Sequence, residues 1–148
     1  MNLREEIGIN LSGLEQLRVM MEANRQPGMA ETLNIYLVEV EEGRVVCEST
    51  PGVHVYNPVG TVHGGFAATM LDYVCGYAVL SKMGPGQTCA TLEIKVSYHR
   101  AMTHTTGPVR AEGQILTIGR RTAFTEAKLT DAAGKLYASA TSTLLIME

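Results

Sequence analysis

"NPVGTVHGGFAATMLDYVCGYAVL", residues 57–80 of a 148-residue chain, decides the fold. It begins with turn chemistry at Asn57-Pro58-Val59-Gly60, passes through His63-Gly64-Gly65, and then runs apolar for about four helical turns. Phe66, Ala67, Met70, Leu71, Val74, Ala78 and Leu80 leave no polar face, and a helix that is apolar all round is a buried one. The spacing predicts a central helix from His63 to about Ser81, stopped by Gly84-Pro85-Gly86. One carboxylate, Asp72, interrupts it.

Asp is a poor helix-interior residue and is almost never fully buried without a partner. No basic residue lies one turn away, since Ala68, Thr69, Cys75 and Gly76 fill those positions. Two readings remain. Asp72 either ties the helix to a neighbouring hydroxyl such as Thr69, or lines a cleft beside the helix as a working carboxylate. His63-Gly64-Gly65 bears on the choice. Two glycines are costly inside a helix but acceptable in its first turn, where backbone N–H groups lack intrahelical partners. Such a bare, dipole-favoured terminus can hold a negatively charged oxygen, as an oxyanion hole does. A tight loop-to-helix turn would explain the glycines alone; with Asp72 on the same helix, the functional reading is the stronger.

Magnitude constrains how the two parts cooperate. Gly64 and Asp72 are eight residues apart, which is about 12 Å of helix axis at about 1.5 Å per residue. Reacting groups must lie within about 3–3.5 Å of one another. One straight helix cannot present both to the same carbonyl. Two antiparallel copies related by a two-fold axis can, so the motif implies a homodimer with two sites at its interface.

Outward from this stretch, Ser12 and Glu15 form a capping-box pattern ahead of Leu14, Leu17 and Met20, which predicts a short amphipathic helix over 12–25. Residues 32–41 and 44–50 read as a hairpin joined by Glu41-Glu42-Gly43, and 51–62 as a loop. In 91–99, Leu92, Ile94, Val96 and Tyr98 alternate strictly with Thr91, Glu93, Lys95, Ser97 and His99, which predicts a strand. Gly107-Pro108, Gly119 and Asp131–Gly134 divide the remainder into three more strands, with a bulge expected near Gly113 where alternation fails.

Length and composition fit one globular domain. The N-terminus shows no apolar run, so no signal peptide is expected, and 65–80 is too short and too acidic at its centre to span a membrane. Cys47, Cys75 and Cys89 are odd in number without a C-x-x-C pair, which fits a reduced cytoplasmic chain; the four histidines share no zinc-like spacing, so no metal is expected. The chain carries −3 overall, against general nucleic-acid binding. Lys95, Arg100, Arg110, Arg120, Arg121 and Lys128 nevertheless oppose only Glu112 and Glu126 in their window. That window reads either as an ordinary mixed surface or as a seat for a small polyanion.

In the pattern Asn57-Pro-Val-Gly60-Thr-Val-His63-Gly64-Gly65 followed by Asp72, the sequence resembles the hotdog-fold acyl-CoA thioesterases of the phenylacetic-acid-degradation (PaaI-like) branch, from about residue 30 to the C-terminus. The resemblance implies an α+β hotdog fold: a curved antiparallel sheet wrapped around a long central helix, in a single domain spanning 1–148 with 1–30 as an N-terminal helical extension. It implies dimers paired into tetramers, hydrolysis of an aryl or medium-chain acyl-CoA to free acid and coenzyme A, and no cofactor beyond the coenzyme A of the substrate. By resemblance, Asp72 is nucleophile or general base, and the Gly64 backbone N–H polarises the thioester carbonyl, with Gly65 beside it. Asn57 and His63 position carbonyl or water, and Thr91 orients the acid or water. A related branch has Thr one turn after the acid; here Gly76 stands there, in favour of the PaaI-like arrangement.

Other roles stay open. Asn57 is also a natural turn residue before Pro58, and His63 a natural start for the helix. Arg120 and Arg121 are either exposed hairpin arginines or contacts to the coenzyme A phosphates, and Arg100 is a weaker candidate for the same task. Tyr73, Tyr77, Phe66 and Met70 belong either to the core or to an acyl pocket. Cys75 reads as core packing. Two rival functions remain: a hotdog-fold hydroxyacyl dehydratase or enoyl hydratase, which needs an acid paired with a catalytic His, and a non-catalytic acyl-CoA sensor, which gains nothing from Asp72.

Overall fold

A computed structural model describes residues 2–148. The stretch quoted above folds as a loop and then a single long helix, and everything else is arranged around that helix. In chain order the elements are α1 (Leu3–Ile7), α2 (Gly13–Glu22), α3 (Gly28–Thr32), β1 (Tyr36–Glu41), β2 (Arg44–Ser49), α4 (Gly64–Leu80), β3 (Thr88–Tyr98), β4 (Val109–Ile118), β5 (Thr122–Asp131) and β6 (Leu136–Met147). The six strands form one antiparallel sheet in the order β1-β2-β4-β5-β6-β3, which makes β1 and β3 its edges.

α4 packs on β2, β3, β4, β5 and β6, while α2 packs on β1. Met70, Leu71, Val74, Cys75, Ala78 and Val79 are fully buried against the sheet, each large side chain contributing about 1.5–3 kcal/mol by leaving water. The helix is not covered all round. Ala68, Thr69, Asp72, Tyr73, Gly76 and Tyr77 are only half-buried and form the side that the strands do not fully cover.

Gly113 explains how close the helix sits. A Cβ there would lie 2.5 Å from the Val74 carbonyl carbon and oxygen, so only glycine lets the middle of α4 rest directly on β4. The bulge expected at this glycine lies farther along, at Leu116, where the register with β5 shifts between Ile115 and Thr117. The reason is parity: the shift returns Ile118 to the face of Ile115, opposite the buried Ala123, and leaves Leu116 outside.

A second bulge corrects the reading of β3. Leu92 drops out of the ladder with β6 and stands 57% exposed, while Thr91 takes the inward position opposite Leu144, on the same face as Ile94, Val96 and Tyr98. Unbroken alternation would instead put Leu92 on the face of Ile94 and Thr91 on the opposite one.

The capping box forms as expected, with Ser12 and Glu15 each bonding the other's backbone N–H, and α2 ends at Glu22. The strand expected from residue 32 begins at Tyr36, because Gly28–Thr32 make one more helical turn. Ala30 and Ile35, both buried, and a 3.1 Å hydrogen bond from Ser49 Oγ to the Leu33 carbonyl fix that turn beside α4.

Candidate active site

The loop before α4 is held at both sides: Val62 N–H donates to the Met102 carbonyl and His63 N–H to the Val55 carbonyl. Asn57 organises it. Its Oδ1 accepts from the Val59 and Thr61 N–H groups, and its Nδ2 donates to Thr61 Oγ1. Both oxygen lone pairs are therefore committed to the turn, and one Nδ2–H remains.

His63 caps the helix. Its Nδ1 accepts the Gly65 N–H at 2.8 Å, and its carbonyl accepts from Phe66 N–H. The Gly65 N–H is thus occupied by the His63 ring. The Gly64 N–H meets no acceptor among the described residues. It stands at the positive end of a 17-residue helix. With Nδ1 accepting, a neutral His63 carries its proton on Nε2, toward solvent.

Tyr98, which pattern reading left as a strand residue, closes this end. Its hydroxyl donates to the Gly64 carbonyl at 2.8 Å, and a Cβ on Gly64 would lie 3.0 Å from its ring carbon Cζ and hydroxyl oxygen. Tyr98 O–H, the Gly64–Gly65 peptide and His63 Nδ1 therefore form one continuous chain of hydrogen bonds, in which each bond polarises the next. A groove of about 370 Å³ opens here, lined by Asn57, His63, Gly64, Tyr98 and Arg100 among others.

Asp72 lies two turns on, half-buried rather than enclosed, at the wall of a second groove of about 340 Å³. Its Oδ1 accepts from Thr91 Oγ1 at 2.8 Å, a contact the Leu92 bulge makes possible. Thr69, the other expected hydroxyl, donates to the Gly65 carbonyl instead. Met29, Ala68, Thr69, Tyr73 and Ile94 complete this groove, and no histidine lines it. Phe66 and Met70 are core, and Tyr77 is packed against Tyr73 with its ring centroid 5.4 Å away. Burial pushes the Cys75 and Cys89 thiols up to about 11 and the Cys47 thiol to about 12, so none is a ready thiolate.

The two grooves share no lining residue. Within one protomer the structure keeps Asp72 and Thr91 apart from Gly64, His63 and Asn57. Arg120 and Arg121 sit exposed on the β4–β5 turn, without an ion-pair partner among the described residues. The register Ile118–Ala123–Leu144–Thr91 puts that turn at the Asp72 end of the sheet, about 14 Å across three strand spacings. The other basic residues do not join them. Arg100 lines the Gly64 groove, while Lys95, Arg110 and Lys128 lie on the outer face of the sheet. There Arg44 and Arg110 grip Glu39 and hold its carboxyl below the usual range.

This sequence and fold correspond to a known group. The thioesterase superfamily pattern matches residues 59–138, from the loop before α4 to the start of β6. The chain belongs to that superfamily and is a thioester hydrolase. It is 27% identical over 119 residues to the 1,4-dihydroxy-2-naphthoyl-CoA hydrolase of Listeria monocytogenes, covering 80% of this chain and 95% of that one. It is 31% identical over 107 residues to acyl-coenzyme A thioesterase 13 of Homo sapiens, covering 70% and 74%. Its fold superposes on the Escherichia coli PaaI protein with a TM-score of 0.80 at 21% identity, covering 93% and 96%. Among the described residues no helix is long and apolar enough to cross a membrane.

Proposed function

We propose that the protein hydrolyses the thioester of an acyl-CoA, with Asp72 of one protomer and the Gly64 N–H of its partner acting on the same carbonyl. The observation that carries this reading is the position of β3. This edge strand reaches Asp72 through Thr91 and Gly64 through Tyr98, seven residues farther along, about 23 Å of extended chain. Antiparallel pairing of β3 with its copy, centred on Lys95, sets Ile94 opposite Val96 and, with Leu92 bulged out, Thr91 of one chain opposite Tyr98 of the other. Each Asp72 then approaches the other protomer's free N–H, and the half-covered side of α4 is closed. Assembly of such dimers into tetramers belongs to the same reading, as does a cytoplasmic setting for a chain with three free thiols.

In the general-base form, Asp72 takes a proton from water while the water oxygen bonds to the thioester carbon. The carbonyl electron pair moves onto oxygen, where the Gly64 N–H and the outward His63 Nε2–H receive it. A preorganised donor of this kind contributes about 10²–10³-fold in rate. Collapse breaks the carbon–sulfur bond, and coenzyme A leaves as a thiolate that takes up the proton. In the nucleophilic form, an Asp72 carboxylate oxygen bonds to the carbonyl carbon, the carbon–sulfur bond breaks to release coenzyme A thiolate, and water opens the resulting anhydride to the free acid and the Asp72 carboxylate, the remaining proton going to the thiolate. Thr91 holds the carboxylate for either course. Arg120 and Arg121 offer planar, two-pronged contacts to the nucleotide phosphates. No cofactor is required.

Free-thiol release from a panel of acyl-CoAs, with Asp72→Asn as control, tests the proposal. Release that is lost in the variant supports it; acyl-CoA binding without release would leave a sensor. Single-turnover hydrolysis in oxygen-18 water separates the two courses, because only the nucleophilic one puts label into the Asp72 carboxylate.

A further inference from the structure

We infer that Met29, from the short α3 turn, forms the outer wall of the acyl-binding groove and makes the enzyme select acyl groups that are apolar at their far end. The inference rests on the reading of Asp72 given above. Residues 59–138 are the part shared with the superfamily. Met29 comes from upstream of it, yet it lines the same groove as Asp72, together with Ala68, Tyr73 and Ile94.

Beyond the carboxylate, two polar side chains line this groove, Thr69 and Tyr73. Thr69 Oγ1 commits its proton to the Gly65 carbonyl, and Tyr73 is half-buried with its ring beside that of Tyr77. The remaining walls are methionine, alanine and isoleucine. An alkyl or aryl group gains by leaving water here, whereas a hydroxyl buried among the methionine, alanine and isoleucine side chains would lose its hydrogen bonds to water. Met29 is itself 58% exposed, on a five-residue helical turn anchored by the buried Ala30. An unbranched, polarisable side chain on such a perch can fold down over acyl groups of different length. The wall is therefore adjustable, while the floor on α4 and β3 is fixed.

The test uses S-ethyl-, S-octyl- and S-(8-hydroxyoctyl)-coenzyme A, thioethers that bind without being cleaved. Calorimetry on the full chain is expected to show octyl bound at least tenfold tighter than ethyl, and hydroxyoctyl at least tenfold weaker than octyl. Met29→Trp, which fills the groove from its exposed side, is expected to cut the octyl-to-ethyl preference at least fivefold, and Met29→Ala to shift preference toward S-decyl-coenzyme A. Equal binding of all thioethers, an unpenalised hydroxyl, or a preference untouched in Met29→Trp would each overturn the inference. Thiol release from octanoyl-CoA is measured beside the binding. Selective thioether binding without any release sustains the groove and refutes the hydrolytic role of Asp72; release without selectivity does the reverse.

Discussion

At the head of α4 the polar groups are tied to one another, whereas eight residues on, Asp72 has one hydrogen bond and mostly apolar neighbours. His63, Gly65, Tyr98 and Asn57 hold their atoms in place before any ligand arrives, and the Gly64 N–H is left over from that arrangement. The Asp72 carboxylate is steadied only by Thr91, and the oxygen not bonded to it has no partner among the described residues. The difference separates two jobs. A site that stabilises developing charge works best when rigid; a carboxylate that must exchange a proton or form a bond needs a free oxygen.

The sharpest break of this contrast is at Asp72. Asp72→Asn keeps size and the Thr91 contact but removes base and nucleophile, so kcat should fall by about 10³-fold, with the thermal midpoint unchanged. Next comes Gly64→Ala. Its methyl would meet the Tyr98 ring at 3.0 Å and crowd the one unbonded N–H, so kcat should fall by about 10²-fold; a thermal melt run alongside separates this from unfolding. Smaller effects sharpen the comparison. Tyr98→Phe interrupts the hydrogen-bond chain at the head, and Thr91→Ala releases the carboxylate; each should lower kcat about tenfold and leave KM nearly constant. The double variant should lose about 10²-fold if the two ends act independently.

Least affected should be the response to iodoacetamide. With thiols near 11 and 12, roughly one molecule in 10⁴ or fewer carries a thiolate at neutral pH. Activity should stay within about twofold over an hour at pH 7. The sign follows from burial: the thiols deprotonate only as pH rises through those raised values, so sensitivity should appear in strongly alkaline solution.

Much of this was legible in the sequence because its signals are local. The apolar run between His63-Gly64-Gly65 and Gly84-Pro85-Gly86 predicts α4 to within a residue at each end, and the Ser12–Glu15 pair predicts the start of α2. Thr91 is different. Unbroken alternation would put it on the face opposite Ile94, and only the Leu92 bulge brings it to Asp72; residue order carries no mark of that slip. Tyr98 at the end of an alternating strand reads as packing, because its partner is a main-chain carbonyl 34 positions away. The basic window looks like one patch in linear order, but strand alternation and hairpins distribute it over three places. Met29 sits in a five-residue turn too short to show a period, so its groove appears only once the chain is folded.

Gly113 has a consequence for how such an enzyme changes its diet. Where main chain rests on main chain, trimming or enlarging side chains cannot raise or lower the beam that carries Asp72. Room for a bulkier guest must come from the outer wall, by swinging or rebuilding residues 28–32. New substrate ranges can therefore be acquired at the rim while the reaction chemistry stays where it is.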